Sequence, residues 1–351
     1  MNRISIIVFS LTGEETALRL AADLKNHCRE VTIDRKSRYL ENSIGESTSM
    51  WAGKRFSDSD GIIFVGAAGI AVRSIAPYIV SKKTDPAILV IDECGKFVIS
   101  LMSGHLGGAN ELTKLCSEIL TAIPVITTAT DLHGKFAVDV FAKKNACSIL
   151  DLKAAKEVSA GILKGEPIGF YSEFPWEGEL PEGLVWIQNP EEKDPSELPE
   201  IGIAVTIHRN RKPFSHTVRI IPKVVSLGMG CRKGKSYEEL RPFAESLLTK
   251  HDLSLDSIRD LSSIDLKKEE EGLLSLSREW KIPFITYTAE ELSRAPGEYA
   301  PSGFVTKITG VDNVCERSAV LSSEEGIVIQ KKLADSGMTG SLAVRNWRIH
   351  F

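Results

Sequence analysis

The 351-residue sequence contains no run of about eighteen apolar residues, the length that a membrane-spanning helix requires. Its six cysteines include no C-x-x-C pair, so we expect neither a zinc site nor a disulfide framework, and a reducing compartment is favoured. The net charge is only −4, which excludes a global attraction to nucleic acid or to anionic membranes. The first apolar run is too short for a secretory signal. These absences predict a cytoplasmic protein with no nucleic-acid and no membrane partner.

What is present is an alternation of strands and helices. Continuous apolar runs that indicate buried strands alternate with helical patterns in both the N-terminal and the C-terminal parts of the chain. This alternation predicts parallel α/β sheets. We expect two open, mostly parallel-sheet α/β domains, residues 1–132 and 223–351, joined by a smaller middle region, residues 133–222.

The middle region contains a marked change in composition. Between Glu173 and Glu200 there are nine acidic residues and five prolines, against one lysine. Such a composition predicts a linker or a small, weakly patterned insert.

The most informative stretch is FVISLMSGHLGGANELTKL, residues 97–115. It predicts a strand, a Gly-rich turn and then a helix. Such a turn places unpaired backbone N–H groups and the positive end of the helix dipole at one spot, which suits a phosphate or a carboxylate. His105 lies in this turn and is able to move protons near neutral pH. Alone, the turn could equally be a tight connection whose glycines supply positive φ, and a lone histidine is more often structural than catalytic.

Two other junctions strengthen the functional interpretation. Residues 66–69 follow an apolar strand and precede a helix that carries Arg73, and the stretch Thr128–Asp131 ends another strand. Because ligands of open parallel sheets bind at the carboxyl ends of the strands, we expect these turns and the His105 turn to gather at one edge. Arg73 could bind a carboxylate through two parallel hydrogen bonds, although alone it would be a solvated helix residue. The G-x-G-x-x-G fingerprint is missing, which disfavours classical NAD binding.

The C-terminal domain repeats the arrangement. An apolar strand, residues 224–227, is followed by the predicted Gly-rich loop GMGCRKG, residues 228–234, and then by a helix. Arg232 and Lys233 are cations at the predicted ligand edge of this second sheet.

Several longer motifs resemble those of one known family. They are GAAGIAVRSIAPYI from Gly66, DPAILVIDECGKFVISLMSGHLGGAN from Asp85, PVITTATD from Pro124, LGMGCRKG from Leu227, SSIDLKKEEEGLL from Ser262, SGFV from Ser302 and GVDNVCERSAVL from Gly310. Together they resemble the CbiG family, the cobalt-precorrin-5A hydrolases of anaerobic cobalamin biosynthesis. The first fifty residues and the region from 173 to 223 carry little of the resemblance.

The resemblance implies a reaction. Water would open the δ-lactone of cobalt-precorrin-5A, and the bridging carbon would leave as acetaldehyde to give cobalt-precorrin-5B. The cobalt would arrive inside the corrinoid substrate, so no cofactor and no protein-bound metal are expected. The alternative is a non-catalytic corrinoid-binding or carrier protein of the same pathway. The oligomeric state stays open, a homodimer included.

The implied chemistry selects candidate residues. Opening a lactone needs a base for water and donors for the developing oxyanion. His105 is the first candidate for the base, followed by Asp131 and His133, and Ser103 or backbone N–H groups are candidates for the oxyanion. The carboxylates of the substrate require cations and backbone donors. The candidate substrate-binding residues are Gly66, Ala67, Ala68, Gly69, Arg73, Gly107, Gly108, Asn110, Thr128, Gly228, Gly230, Arg232 and Lys233.

Overall fold

The computed structural model describes residues 1–81, 84–105, 107–128, 135–299 and 311–351. Two compact units make up the chain, residues 1–140 and 141–351. Within the described ranges, no helix is long and apolar enough to cross a membrane.

The first unit is a six-stranded sheet covered by helices. Its strands are β1 (Arg3–Val8), β2 (Glu30–Arg35), β3 (Gly61–Val65), β4 (Ala87–Ile91), β5 (Phe97–Met102) and β6 (Ile123–Val125). Its helices are α1 (Leu11–Leu24), α2 (Thr48–Asp58), α3 (Ala68–Ile75) and α4 (Ala109–Leu120), and α5 (Val138–Lys144) begins near the end of the unit. The strand order is β2-β1-β3-β4-β5-β6. Neighbouring strands are parallel except for β4 and β5, which are antiparallel.

The core of this unit explains its continuous apolar strands. Strands β3 and β4 are buried along their whole length because helices cover both faces of the sheet. Helices α1 and α4 pack on one face, and α2 and α3 pack on the other. On the second face Trp51 is buried edge-on against Phe64, with ring centroids 5.7 Å apart. Its indole N–H donates to Asp34 across 2.7 Å, so the one polar atom of this core tryptophan is satisfied.

The middle region forms a sheet of its own within the second unit. Its strands are β7 (Cys147–Leu150), β8 (Ile168–Ser172), β10 (Leu184–Trp186), β11 (Ile201–Val205) and β12 (His216–Pro222), and its helix is α6 (Leu152–Lys164). The order is β10-β8-β11-β12-β7, and only β7 runs antiparallel to its neighbour. A short strand β9 (Trp176–Glu177) pairs with β18 (Ile349–His350).

The acidic stretch from residue 173 to 200, interpreted above as a linker or a small insert, is folded into this region. It contributes β9 and β10, and the rings of Trp176 and Trp186 lie 4.6 Å apart between centroids. Both rings also contact Phe170, each with centroids 6.0 Å apart. The average composition of the stretch conceals these two tryptophans, which supply large apolar anchors between the acidic residues.

The C-terminal part of the second unit is a third sheet. Its strands are β13 (Val225–Cys231), β14 (Ile258–Ile264), β15 (Phe284–Tyr287), β16 (Ile327–Asp335) and β17 (Met338–Val344). Its helices are α7 (Tyr237–Lys250), α8 (Glu271–Trp280), α9 (Ala289–Ser293) and α10 (Val314–Ser322). The order is β15-β14-β13-β17-β16, with β13, β14 and β15 parallel and β17 antiparallel to both of its neighbours.

Local sequence signals set the ends of two of these helices. Helix α7 begins with a capping box formed by Ser236 and Glu239, and α9 begins with one formed by Thr288 and Glu291. Helices α7 and α8 then bury their apolar faces against the sheet. The predicted fold class, mostly parallel α/β sheets near both ends of the chain with a middle region between them, is confirmed.

Candidate active site

The antiparallel strand β5 separates the turns that the sequence predicts to lie together. Ile91 at the end of β4 lies opposite Val98 near the start of β5. The N–H of Gly66 donates to the carbonyl of Ile91 across 2.8 Å, so the turn of residues 66–69 lies near the start of β5. Ser103 follows the end of β5, roughly 15–20 Å farther along the strand. The expected convergence of all three turns at one edge is therefore wrong.

Two of the predicted segments do meet. Strands β5 and β6 are parallel, so their carboxyl ends share an edge. There the amide Nδ2 of Asn110 donates to the hydroxyl of Thr128 across 2.9 Å, and the hydroxyl of Ser100 donates to Oδ1 of Asn110 across 2.6 Å. Asn110 is buried, and these bonds fix its amide between the two strand ends.

The turn around Ser103, Gly104 and Gly107 is tightly built. Ser103 has a φ of +60°, a left-handed conformation that is uncommon for a residue with a side chain. A Cβ atom at Gly107 would lie 2.3 Å from that of Ser103, so only glycine permits this approach. The first N–H groups of α4, those of Ala109 and Asn110, donate to the carbonyls of Ser103 and Gly104, each across 3.0 Å. The helix N-terminus thus offers fewer unpaired donors than the sequence predicts.

His105 is held by a carboxylate. Its Nδ1 donates to Oδ2 of Asp139 across 3.1 Å, and the two side chains are only 16% and 20% exposed. Burial alone would raise the pKa of Asp139, but the hydrogen bond and charge of His105 and the N–H of Val140 keep that pKa below its usual value. When His105 is neutral, an ionised Asp139 holds the imidazole proton on Nδ1, and Nε2 is then the basic nitrogen.

Ser103 adds a second polar group to this site. Its hydroxyl is buried, and it has no hydrogen-bond partner among the described residues. An unsatisfied buried hydroxyl carries a free-energy penalty, which a hydrogen bond to a water or a ligand would remove. Ser103 thus keeps an available O–H in the same turn as the His105–Asp139 pair.

Asp139 is a site residue that no motif of the sequence indicates. It lies 34 residues from His105, at the second position of α5, and no local motif links the two. Asp131 and His133, the other candidate bases, lie outside the described residues.

Residues 66–69 and Arg73, at the other edge of the first sheet, form a separate group. Helix α3 begins at Ala68, and Arg73 is exposed with no ion-pair partner among the described residues. A Cβ atom at Gly69 would lie 3.3 Å from the Arg73 guanidinium, which folds back over its own helix. This group stays a predicted anion site, distinct from the His105 turn.

The predicted position of the C-terminal Gly-rich loop, residues 228–234, is wrong. Strand β13 continues through Gly228 and Gly230 to Cys231. A Cβ atom at Gly228 would lie 1.9 Å from the carbonyl oxygen of Cys315, so this glycine lets α10 lie directly against the strand. Arg232 and Lys233 follow the strand and are exposed.

Family models match three consecutive parts of the chain. A model described as cobalamin synthesis G N-terminal matches residues 50–131, one described as cobalamin biosynthesis central region matches 136–222, and one described as cobalamin synthesis G C-terminus matches 225–343. A cobalt-precorrin-5A hydrolase of Salmonella typhimurium is 36% identical, covering 97% of this chain and 97% of the relative. The chain belongs to the CbiG family.

Two further proteins match the chain. A cobalt-precorrin-5A hydrolase of Priestia megaterium is 35% identical, covering 82% of this chain and 79% of the relative. A solved structure of a cobalamin biosynthesis protein G homolog from Sulfolobus solfataricus matches with 22% identity and a TM-score of 0.41, covering 97% of this chain and 96% of that chain. The resemblance that the motifs indicate is confirmed, and so is the prediction of an enzyme, since CbiG relatives at 35–36% identity are named as hydrolases.

Proposed function

We propose that this CbiG protein opens the δ-lactone of cobalt-precorrin-5A with water, using His105 as the general base and releasing the bridging carbon as acetaldehyde. The observation that supports this role most directly is the contact of His105 with Asp139 at 3.1 Å inside a shielded turn. A base that is oriented and electrostatically supported in this way accelerates proton transfer by ~10²–10⁴-fold.

His105, Asp139 and Ser103 have separate roles in such a step. Nε2 of His105 takes a proton from water while the water oxygen attacks the lactone carbonyl. Asp139 stabilises the imidazolium that forms, because its carboxylate already lies on Nδ1. The hydroxyl of Ser103, buried and without a partner among the described residues, is the candidate donor to the carbonyl oxygen as that oxygen gains charge. The proton on His105 then passes to the ring oxygen that departs from the carbonyl, which becomes a hydroxyl on the bridging carbon. When this hydroxyl loses its proton and forms a C=O bond, the bond from the bridging carbon to the macrocycle breaks. The macrocycle takes the electron pair and a proton, and the bridging carbon leaves with its methyl group as acetaldehyde.

Measurement of aldehyde release distinguishes this proposal from the carrier alternative. Purified protein is incubated with excess cobalt-precorrin-5A, and acetaldehyde is trapped as a hydrazone and quantified against time. We expect release in large molar excess over protein. Stoichiometric corrinoid binding without aldehyde release above the protein-free rate would favour the carrier.

A further inference from the structure

A cleft of about 880 Å³ lies in the second unit, between the middle sheet and the C-terminal sheet. Its volume is near the upper end for small-molecule sites, so it has room for a ligand larger than a single-ring metabolite. The cleft is remote in sequence from the His105 turn, and part of it is formed by residues from 173 to 211, where the family motifs of the sequence analysis are sparse.

The topology of the middle sheet favours a ligand here. Strands β8 and β11 are parallel neighbours, with Phe170 opposite Ile203. The residues that follow their carboxyl ends, Glu173 after β8 and His208 after β11, both line the cleft. In open α/β sheets this edge is where ligands bind.

One wall of the cleft is apolar and aromatic. The rings of Phe174 and Trp347 meet edge to face with centroids 5.2 Å apart. Ile207 is buried beneath the cleft, while Ile327 on the edge strand β16 is 76% exposed. An exposed isoleucine beside two half-buried aromatic rings is a surface that a flat apolar face would cover.

Two arginines line the same cleft, each paired with a carboxylate at the surface. Arg211 donates to Glu191 across 2.9 Å and to the hydroxyl of Tyr171, and Arg345 pairs with Glu324 across 2.6 Å. The two glutamates are 57% and 50% exposed. Surface pairs of this kind contribute ~0–1 kcal/mol, so a ligand carboxylate can replace either glutamate at little cost.

His208 is the third basic group of the cleft. Its Nδ1 donates to Glu173 across 2.9 Å, and that hydrogen bond raises the pKa of His208 although burial opposes the shift. The remaining carboxylates of the lining are Asp252, which accepts a 2.6 Å hydrogen bond from Asn210, and Glu325. The cleft therefore holds two arginines beside an aromatic wall. With Glu191 and Glu324 counted, five carboxylates also lie at the cleft, so a ligand carboxylate binds either arginine only by displacing its glutamate.

We propose that this cleft binds a flat conjugated ring that carries peripheral carboxylates, with the ring against Phe174 and Trp347 and carboxylates on Arg211 and Arg345. The identification of that ring as the corrinoid substrate rests on the proposed function.

Binding of a cobalt-free probe tests the site without turnover. Uroporphyrin I, a flat tetrapyrrole with carboxylates on every ring, is titrated into the full chain and followed by its fluorescence anisotropy. We expect Trp347→Ala and Arg345→Ala each to weaken binding at least tenfold, with Arg345→Lys intermediate because lysine cannot form the two-bond fork. Arg278→Ala is the matched control, because Arg278 is an exposed helix arginine paired with Glu271 outside the cleft, and it should bind like wild type.

The outcomes separate the cleft from the hydrolase assignment. No binding of uroporphyrin I by wild type, or equal affinity in all folded variants, would overturn the cleft proposal while acetaldehyde release still supports the function. Loss of probe binding in the cleft variants of a protein that releases no acetaldehyde would support the cleft and overturn the hydrolase. If Trp347→Ala unfolds, Trp347→Phe and Arg345→Ala carry the test, and normal melting curves for both are the requirement.

Discussion

The turn after β5 and the glycines of β13 look alike in the sequence but have different roles in the structure. Gly104 and Gly107 make room for side chains, those of Asn110 and Ser103, in a turn that also holds His105. Gly228 instead makes room for the backbone of α10. A glycine in an apolar strand–helix junction indicates that something approaches closely, and the approaching group decides whether the position serves packing or chemistry.

The largest effect is expected at the turn that holds His105. His105→Ala should reduce kcat for acetaldehyde release by ~10²–10⁴-fold with little change in KM, because the variant lacks the base but keeps the substrate contacts. The control is His27→Ala, since His27 is an exposed histidine of the same unit. Both variants should melt near the wild-type temperature. Near wild-type turnover by His105→Ala would make His105 structural and leave Asp131 or His133 as the base.

The next effect concerns the packing glycine. Gly228→Ala should destabilise the protein by about 3 kcal/mol or more, because its new Cβ would lie 1.9 Å from a backbone oxygen that cannot rotate away. Gly230→Ala is the matched control two residues along the same strand, where the nearest atom is the hydroxyl of Thr339 at 2.8 Å. That hydroxyl can turn aside, so the loss should be smaller. Urea unfolding of both variants gives the comparison, and equal losses would contradict the packing role of Gly228.

The strands of the first sheet could be predicted from the sequence, but the antiparallel direction of β5 was not predicted. Strands β3 and β4 are continuous apolar runs, which are the strongest local signal for buried strands. Only five residues, 92–96, connect β4 to β5. A parallel crossover needs a dozen or more residues, so this length already indicates a hairpin. A hairpin of β4 and β5 places residues 66–69 and Ser103 at opposite edges of the sheet.

The contact between Asp139 and His105 could not be predicted in the same way. It joins residues far apart in the sequence through the packing of α5, and a single sequence carries no local pattern for such a pair. The cleft of the second unit is similar, because it depends on how β8 and β11 lie against β16 and β17. Local patterns predicted elements and turns, whereas both candidate sites depend on tertiary contacts.

The pH dependence of the free energy of unfolding tests the ion pair between His105 and Asp139. The lowered pKa of Asp139 means that its ionised form stabilises the fold. This stabilisation is complete above the unfolded carboxyl pKa of about 3.9 and is lost as the pH falls through the lower folded value. Asp139→Asn should therefore cost roughly 1–2 kcal/mol in the free energy of unfolding at pH 6, and less as the pH falls below about 4.

The partner of Asp139 provides the control for that measurement. In a His105→Ala background, Asp139→Asn should change stability much less, since the shared hydrogen bond is already absent. An equal cost at every pH, or an equal cost in both backgrounds, would mean that the carboxylate is not stabilised by His105.

The smallest expected effect is the change in corrinoid affinity on substitution of Arg232, which is compared with Arg345 of the same sheet. Arg345 follows β17 at the cleft, whereas Arg232 follows β13, and Val225 at the start of β13 pairs with Val344. Because the two strands are antiparallel, Arg232 lies at the opposite edge of the sheet, roughly 20 Å from the cleft. There it packs beside Gly337 with no ion-pair partner among the described residues.

Arg232→Ala should accordingly change corrinoid affinity by less than about threefold, because an exposed side chain of this kind contributes little. The sequence alone predicts more, a loss of roughly ten- to a hundredfold, from a charge-assisted hydrogen bond to a substrate carboxylate. Titration of Arg232→Ala and Arg345→Ala with the same corrinoid, at low and at high salt, decides between the two positions. A larger loss for Arg232→Ala would place the substrate at the carboxyl end of β13, where the sequence predicts it, and would remove it from the cleft.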